Sequence, residues 1–387
     1  MASSRRFGWL GPLAAVAALA GCTSKSNEVV IGNLQDLSGP TSVLGNAVTR
    51  GAELAVEKLN ARGGLAGKKV KLITYDTKGD VQEAIKAYSR LADAEKAIAV
   101  VGPPVSNIGL ALAPLANSKK VPVVGSFIDP RVTQESATKP QPAMFLMQPS
   151  SVQYAEIMAS YAVDKLGLKK IAIFYDQSNA FAVSLIPTFK KYVEGAGARI
   201  VGEEVYSKGD KDYRTQLSKI KALGADALYA PNYMQDNVIM VKQKKQVGLD
   251  VPVIGGLDFA PPFASLVNDA DAATDIYFAN NFSDSDPQLV DVRKAYVEKY
   301  KEEPINKAYL GYDKILIIED AVKRAASTRP EDVMKALEHV SGLKGTTGVI
   351  TISPTTHQPI GLSMVMYRID HGKYVELGRY VPEKHKT

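Results

Sequence analysis

Three polar segments of the chain follow short apolar runs and carry side chains that suit a charged ligand. In "VVGPPVSNIGLALAP" (100–114), Ser106 and Asn107 stand where a helix is predicted to begin. The free backbone amides and the dipole of a helix N-terminus favour an anion such as a carboxylate. Ser106 is equally typical of a simple N-cap, so residue type alone leaves both interpretations open.

The other two segments are "VVGSFIDP" (123–130), with Ser126 and Asp129, and "VIGGLDFAPPF" (253–263), with Asp258 beside Phe259. Asp258 can pair with an ammonium group, or it can cap the helix predicted after it; the two interpretations stand equal. An anion site and an acid in different parts of the chain together suit a zwitterion.

Aromatic residues near predicted strand ends offer apolar walls for such a ligand. These are Phe127, Tyr175, Tyr233 and Phe259. Binding pockets combine an apolar lining with a few convergent polar groups. Most aromatic residues of a protein belong to its core, so each of the four is individually weak evidence.

Catalytic and cofactor motifs are missing from the sequence. No G-x-G-x-x-G follows an apolar run, and "GGLAGKK" (63–69) departs from the P-loop spacing, so no nucleotide cofactor is expected. The four histidines lie near the end of the chain at no metal-ligand spacing, and no G-x-S-x-G is present. We therefore expect a binding protein and not an enzyme, with no cofactor and no metal.

The elements that position these residues alternate regularly. Short apolar runs such as "VVIGNL" (29–34) and "VKLITYD" (70–76) alternate with helical patterns such as 44–64 and 80–96. This alternation predicts parallel β-α-β units with helices on both faces of a sheet. A second, similar run begins after Pro149 and ends in a hairpin around His371. The fold class is therefore α/β, with two doubly wound lobes and no low-complexity linker.

The first residues predict export. Arg5 and Arg6 precede an apolar stretch that is too short to span a membrane, so 1–21 is read as a signal peptide. Leu19-Ala20-Gly21-Cys22 resembles the bacterial lipobox, which implies that Cys22 carries lipid and that 22–27 is a short leash. The alternative is a free reactive thiol, because Cys22 is the only cysteine. With 47 basic and 41 acidic residues and no basic patch, no nucleic-acid partner is expected.

Three segments carry a resemblance to a known family. "IGNLQDLSGPTSVLGNAVTRGAELAVEKLNARGGLAGKKVKLITYDTKGD", "VVGPPVSNIGLALAP" and "NKAYLGYDKILIIEDAVKRA" resemble the substrate-binding proteins of branched-chain amino acid ABC transporters. The resemblance implies the type I periplasmic-binding fold, with three crossovers between discontinuous lobes. Lobe 1 would comprise 28–147 with 281–353, lobe 2 would comprise 148–280 with 361–387, and 354–360 would be the third crossover.

The resemblance also implies roles for residues of this chain. Ser106 would hold the ligand carboxylate, Ser126 and Ile128 would meet its backbone groups, and Asp258 would meet its ammonium. Tyr233 lies near a ligand-contacting tyrosine of the family. The sequence departs from the family pattern at Phe127-Ile128 and at Phe181-Ala182, which leaves the ligand open. The full expected ligand-binding set is Asp36, Ser106, Asn107, Ser126, Phe127, Ile128, Asp129, Phe181, Tyr233, Asp258 and Phe259.

The function that follows is a solute receptor, lipid-anchored to a bacterial membrane, on its periplasmic side or at the cell surface. It would be a monomer that binds a small amino-acid-like molecule between its lobes and presents the closed form to an ABC permease. One alternative is a sensor whose closed form signals to a membrane receptor. The other is a secreted hydrolase that uses Asp36, Asp129 and Asp258.

Overall fold

Parallel strands and covering helices dominate the protein. The structure is a computed structural model that describes residues 1–2, 8, 27–136, 139–283, 285–360 and 364–382. The strands are β1 (Glu28–Gln35), β2 (Lys69–Asp76), β3 (Ala99–Val101), β4 (Val123–Gly125), β5 (Gln134–Ser136), β6 (Lys139–Pro140), β7 (Met144–Leu146), β8 (Lys170–Asp176), β9 (Arg199–Tyr206), β10 (Ala227–Tyr229), β11 (Val253–Gly255), β12 (Ile276–Asn280), β13 (Leu343–Gly345), β14 (Gly348–Ile350), β15 (Met364–Asp370) and β16 (Lys373–Tyr380).

The helices stand between these strands in the alternating order that the sequence predicts. They are α1 (Ser42–Ala61), α2 (Val81–Asp93), α3 (Ser106–Lys119), α4 (Ser151–Ser160), α5 (Ala180–Gly195), α6 (Arg214–Ala222), α7 (Met234–Gln246), α8 (Phe263–Val267), α9 (Val290–Tyr300), α10 (Asn306–Ala325) and α11 (Pro330–Leu337). A π-helical segment, Tyr161–Lys165, extends α4, and short 3-10 helices span Pro130–Val132, Leu257–Phe259 and Pro287–Leu289.

Two separate sheets form the framework. The first has the strand order β2-β1-β3-β4-β7, with every neighbouring pair parallel. The second has the order β16-β15-β12-β11-β10-β8-β9, in which β15 runs antiparallel to both of its neighbours, β12 and β16, and the other neighbouring pairs are parallel. Because parallel strands buried on both faces read as apolar runs, the sequence could predict the α/β class, and the structure confirms it.

Glycines allow the most extensive helix pair of the first sheet to approach closely. A Cβ atom on Gly51 of α1 would lie 1.8 Å from the carbonyl oxygen of Ala308 in α10. A Cβ on Gly311 of α10 would lie 2.2 Å from the carbonyl oxygen of Val48. Only glycine lets two backbones come this near, so α10 is held tightly against α1.

One segment near the end of the chain differs from what its sequence predicts. The run "GVITIS" (348–353) predicts one strand, whereas only its first half is β14, which pairs with β13 in a small antiparallel hairpin. The segment 9–26, with Cys22 and most of the predicted signal peptide, lies outside the described residues. No helix within the described part of the chain is long and apolar enough to span a bilayer.

Candidate ligand-binding site

A cleft between the two sheets collects side chains from distant parts of the chain. It has about 500 Å³ of space between its lining atoms, part of it open to solvent. Its walls are mostly apolar, with a few polar groups. The lining residues are Leu44, Pro104, Ile128, Gln148, Tyr154, Met158, Phe181, Leu185, Tyr229, Tyr233, Gly256, Leu257, Asp258 and Lys307.

Two opposite charges face this cleft. Asp258 lies in the 3-10 helix that follows β11 of the second sheet, and its residue is 8% exposed. Lys307 lies in the first turn of α10, beside the first sheet, and is 7% exposed. The Nζ of Lys307 donates to Oε1 of Gln148 at 3.0 Å. Gln148 in turn donates from Nε2 to the carbonyl oxygen of Ser126 at 2.5 Å, so its amide orients the lysine.

Burial disfavours the charged form of both groups. It raises the pKa of Asp258 to about 6, although the positive charge of Lys307 acts in the opposite direction. It lowers the pKa of Lys307 to about 8, although Asp258 acts to raise it. Each group therefore stays ionised near neutral pH at a cost that an oppositely charged ligand group would reduce.

Aromatic side chains form one wall. The rings of Phe181 and Tyr233 stack with their centroids 5.1 Å apart and their planes within 9°. The hydroxyl of Tyr233 is buried and has no hydrogen-bond partner among the residues that the structure describes. The hydroxyl of Tyr154 donates to Oδ1 of Asn281. Tyr233 thus offers a polar group to a ligand beside an apolar surface.

The N-terminus of α3 lies next to the cleft, but its polar side chains already form hydrogen bonds with other residues of the protein. Ser106 Oγ is buried and accepts long hydrogen bonds from the amides of Ile128 and Asp129, both at 3.4 Å. Asn107 connects to the second sheet's side: its Nδ2 donates to the carbonyl oxygen of Ser178 at 3.2 Å, and its Oδ1 accepts from the amide of Ala180 at 2.9 Å.

Two aromatic residues of the expected ligand-binding set lie in the protein core. The ring of Phe127 fills the space above two glycines, since a Cβ on Gly125 would lie 2.0 Å from it and one on Gly109 would lie 2.7 Å from it. Phe259 packs over Gly255 and edge-on against Phe263, with ring centroids 4.8 Å apart. Both rings therefore pack in the core beside the sheets, and the prediction that they form walls of the cleft is wrong.

Two carboxylates of that set are satisfied by their own surroundings. Asp36 accepts from the amides of Gly39 and Thr41 and from the Thr41 hydroxyl, which fixes the turn after β1. Asp129 pairs with the guanidinium of Arg131, with the closest atoms 2.6 Å apart. These contacts give both acids structural roles. The hydrolase alternative needs Asp36, Asp129 and Asp258 to lie together, but only Asp258 is among the residues that line the cleft.

The remaining members of the set fall into two groups. Ile128, Phe181, Tyr233 and Asp258 line the cleft together. Ser126 is 1% exposed, and its hydroxyl has no hydrogen-bond partner within the described residues. In the part of the chain that the structure describes, no group of His, Cys, Asp and Glu residues could hold a metal ion.

The sequence analysis missed Lys307 and Gln148. They are 159 positions apart, and their contact depends on the fold alone. One signal was available: Lys307 opens "NKAYLGYDKILIIEDAVKRA" (306–325), a helix with so many apolar residues that it must be largely buried.

Comparisons with known proteins identify the family of this chain. A model of the periplasmic binding protein family matches residues 28–373. Leu/Ile/Val-binding protein homolog 3 of Brucella melitensis is 26% identical over 354 residues, which cover 90% of this chain and 94% of that protein.

Two solved structures share the fold. The leucine binding protein LivK of Thermotoga maritima has a TM-score of 0.84 and 26% identity, covering 92% of this chain and 99% of that one. The branched-chain amino acid binding protein LivJ of Streptococcus pneumoniae, solved with isoleucine, has a TM-score of 0.81 and 28% identity, covering 90% and 99%. The resemblance recognised in the sequence is confirmed, and the chain belongs to the periplasmic binding protein family.

Proposed function

We propose that this protein is an exported lipoprotein that captures a small amino-acid-like solute in its cleft and delivers it to an ABC permease. The observation that carries the proposal is the pair of opposite charges, Lys307 and Asp258, on opposite sides of a mostly apolar cleft. This arrangement suits a zwitterion with an apolar side chain. The names of the relatives, which bind leucine and isoleucine, favour the same class. Membership of a family of binding proteins favours a role without catalysis.

Binding would act through closure of the cleft. In our proposal the lobes are 28–147 with 281–353 and 148–280 with 361–387, and 354–360 is one of three crossovers. A ligand that touches Lys307 on one side and Asp258 on the other gains both contacts only when the cleft is closed. Such a ligand shifts the population toward the closed form, which the permease would recognise. No covalent step is required, and a monomer suffices.

A thermal-shift screen tests the binding role. The purified protein is heated with L-leucine, L-isoleucine, L-valine, other amino acids, small carboxylates, amides and amines, before and after unfolding and refolding to remove any co-purified ligand. A ligand that binds only the folded state raises the melting temperature by mass action. We expect a concentration-dependent shift with at least one apolar amino acid or a close analogue. No shift with any compound after refolding would contradict the proposal.

Fractionation tests the anchor separately. We propose that 1–21 is removed, that Cys22 is acylated and that 22–27 tethers the folded part to the membrane. The wild-type protein should then sediment with membranes and enter detergent, while Cys22→Ala should not be acylated. Equal partitioning of the two proteins into detergent would contradict lipidation and would leave the binding role untouched.

A further inference from the structure

We propose that Lys307 is the anchor for a carboxylate of the ligand, so that the cleft selects small carboxylates with an apolar body over their neutral amides. This inference rests on the proposed function and specifies its ligand. It assigns the carboxylate to a buried ammonium group on α10 in addition to the α3 N-terminus, where the sequence analysis had placed it.

The first argument is the missing counter-ion. Within the described ranges, no carboxylate oxygen lies close enough to Lys307 Nζ to form an ion pair. Asp258 affects the pKa of Lys307 only through its charge, from the other side of the cleft. A lysine ammonium has three N–H donors, and Gln148 accepts one of them. A buried cation with unused donors is costly unless another group pairs with it. A ligand carboxylate supplies that group.

The second argument is that Lys307 is held in place. Its neighbour Ala308 lies against Gly51 of α1 at the close helix contact, so the backbone of α10 is fixed there. Its ammonium group is oriented by Gln148, whose other end is bound to the carbonyl oxygen of Ser126. A preorganised donor binds with less loss of conformational entropy than a mobile surface lysine does.

The third argument is the electrostatic potential on the first sheet's side of the cleft. Lys314 lies two turns further along the same face of α10 and donates from Nζ to the carbonyl oxygen of Gly102 at 2.9 Å. Burial lowers the pKa of Lys314 well below its ordinary value, so the positive potential here comes from Lys307 and from the start of α3. Gly102 is close to the start of α3, whose helix dipole is also positive at that end. The first sheet's side of the cleft is thus favourable for an anion, and Asp258 on the other side is favourable for an ammonium group.

A ligand–protein double-mutant cycle tests the assignment. The binding of L-leucine and L-leucinamide, and of benzoate and benzamide, is measured by calorimetry to the wild-type protein and to Lys307→Gln. These pairs differ only in the carboxylate. We expect the wild-type protein to prefer the carboxylate by at least about 30-fold and this ratio to shrink at least about tenfold in Lys307→Gln. Lys307→Arg, which keeps the charge, should retain part of the preference.

Lys323→Gln, at the exposed far end of the same helix, is the matched control and should keep the wild-type ratio. Melting of each variant without ligand shows that it is folded. An undiminished carboxylate preference in a folded Lys307→Gln protein would overturn the proposal, as would a wild-type protein that binds the amides better than the carboxylates. A thermal-shift screen without any response would instead contradict the binding function itself.

Discussion

Lys307 and Asp258 oppose each other across one cleft, coupled by charge but not joined in an ion pair. Burial shifts the pKa of the lysine to about 8 and that of the aspartic acid to about 6. Asp236 adds a smaller unfavourable negative charge at Asp258. Burial lowers the pKa of Lys314, two turns from Lys307 on the same helix, well below its ordinary value. Because the two charges of Lys307 and Asp258 are opposite and unpaired, they complement a ligand that bears both a carboxylate and an ammonium group.

The affinity for such a zwitterion should therefore be bell-shaped in pH. Below about pH 6 Asp258 becomes protonated and loses its attraction for the ammonium, and above about pH 8 Lys307 becomes neutral and loses its attraction for the carboxylate. Calorimetry with L-leucine from pH 4.5 to 9 measures the curve. Asp258→Asn should remove the acid limb and Lys307→Gln the alkaline limb. A flat profile would contradict the roles of both residues.

Asn107 is expected to hold the two sides of the cleft together. It makes two hydrogen bonds to the Ser178–Ala180 segment across the cleft. Each such bond contributes roughly 1 kcal/mol, so Asn107→Ala, which removes both, should weaken ligand binding about 30-fold, mainly through faster dissociation. Stopped-flow fluorescence gives the dissociation rate constant.

A second asparagine on the same helix provides the control. Asn117 also makes two hydrogen bonds, to Gln141 and Ala143, but both partners belong to the first sheet's side. Asn117→Ala should lower the melting temperature and leave the dissociation rate unchanged. If both alanine variants change dissociation equally, Asn107 has no special role in closure.

The contact of α1 with α10 should tolerate no extra atom at Gly51. An alanine there would bring its Cβ to 1.8 Å from the carbonyl oxygen of Ala308, next to Lys307. Overpacking of this kind costs roughly 1–3 kcal/mol, and the helix displacement should also weaken ligand binding. Urea unfolding and calorimetry measure the two effects.

Gly195 is the matched control for that substitution. It is also helical, at the end of α5, but a Cβ there has nothing within 4 Å. Gly195→Ala should be neutral or stabilise by at most about 1 kcal/mol. Equal losses of stability for the two variants would show that the close helix contact is not the cause.

The sequence could predict the fold because the signals are local. Each of the parallel strands β1 to β3 in the first sheet is a short apolar run followed by a periodic helix, so β1 to α3 could be placed to within about three residues. Asp258 and Tyr233, which line the cleft, could be proposed for a related reason: they follow β11 and β10 by three and four residues, and the strand ends of an open α/β sheet meet at the ligand edge.

The missed features depend on contacts that are distant in sequence. The apolar content of α10 indicates that the helix is largely buried, but a lysine usually marks a solvated position. Only the packing of the first turn of α10 shows that Lys307 itself is buried. Phe127 stands two residues past β4 and Phe259 four residues past β11, in segments where a shift of one residue decides between cleft and core. The glycines that receive their rings, Gly125 and Gly255, are the physical reason that the core is chosen.

A buried histidine near the end of the chain should make the folded state sensitive to acid. His357 is 0% exposed, and its ring stacks on that of Phe145 at 4.3 Å. Its Nδ1 lies 3.1 Å from the carbonyl oxygen of Gln141 and 3.2 Å from that of Met144, so it carries the proton of the neutral ring. Its Nε2 has no hydrogen-bond partner in the described part of the chain, and Glu338 is 3.8 Å away.

Burial lowers the pKa of His357 below its ordinary value of 6.5. The unfolded chain therefore takes up a proton at a higher pH than the folded protein does, and the free energy of unfolding falls as the pH drops below 6.5. The slope for one such group is at most about 1.4 kcal/mol per pH unit. Glu338 and Asp258, whose pKa values burial raises, act in the opposite direction, so the histidine must be isolated by difference.

Urea unfolding at pH 8, 7, 6 and 5 makes that comparison. His357→Gln should be less stable than the wild-type protein at pH 8, because the ring stacking is lost, and the difference should shrink steadily as the pH falls to 5. A wild-type and a His357→Gln protein that lose stability in parallel would show that this histidine is not the acid-sensitive group.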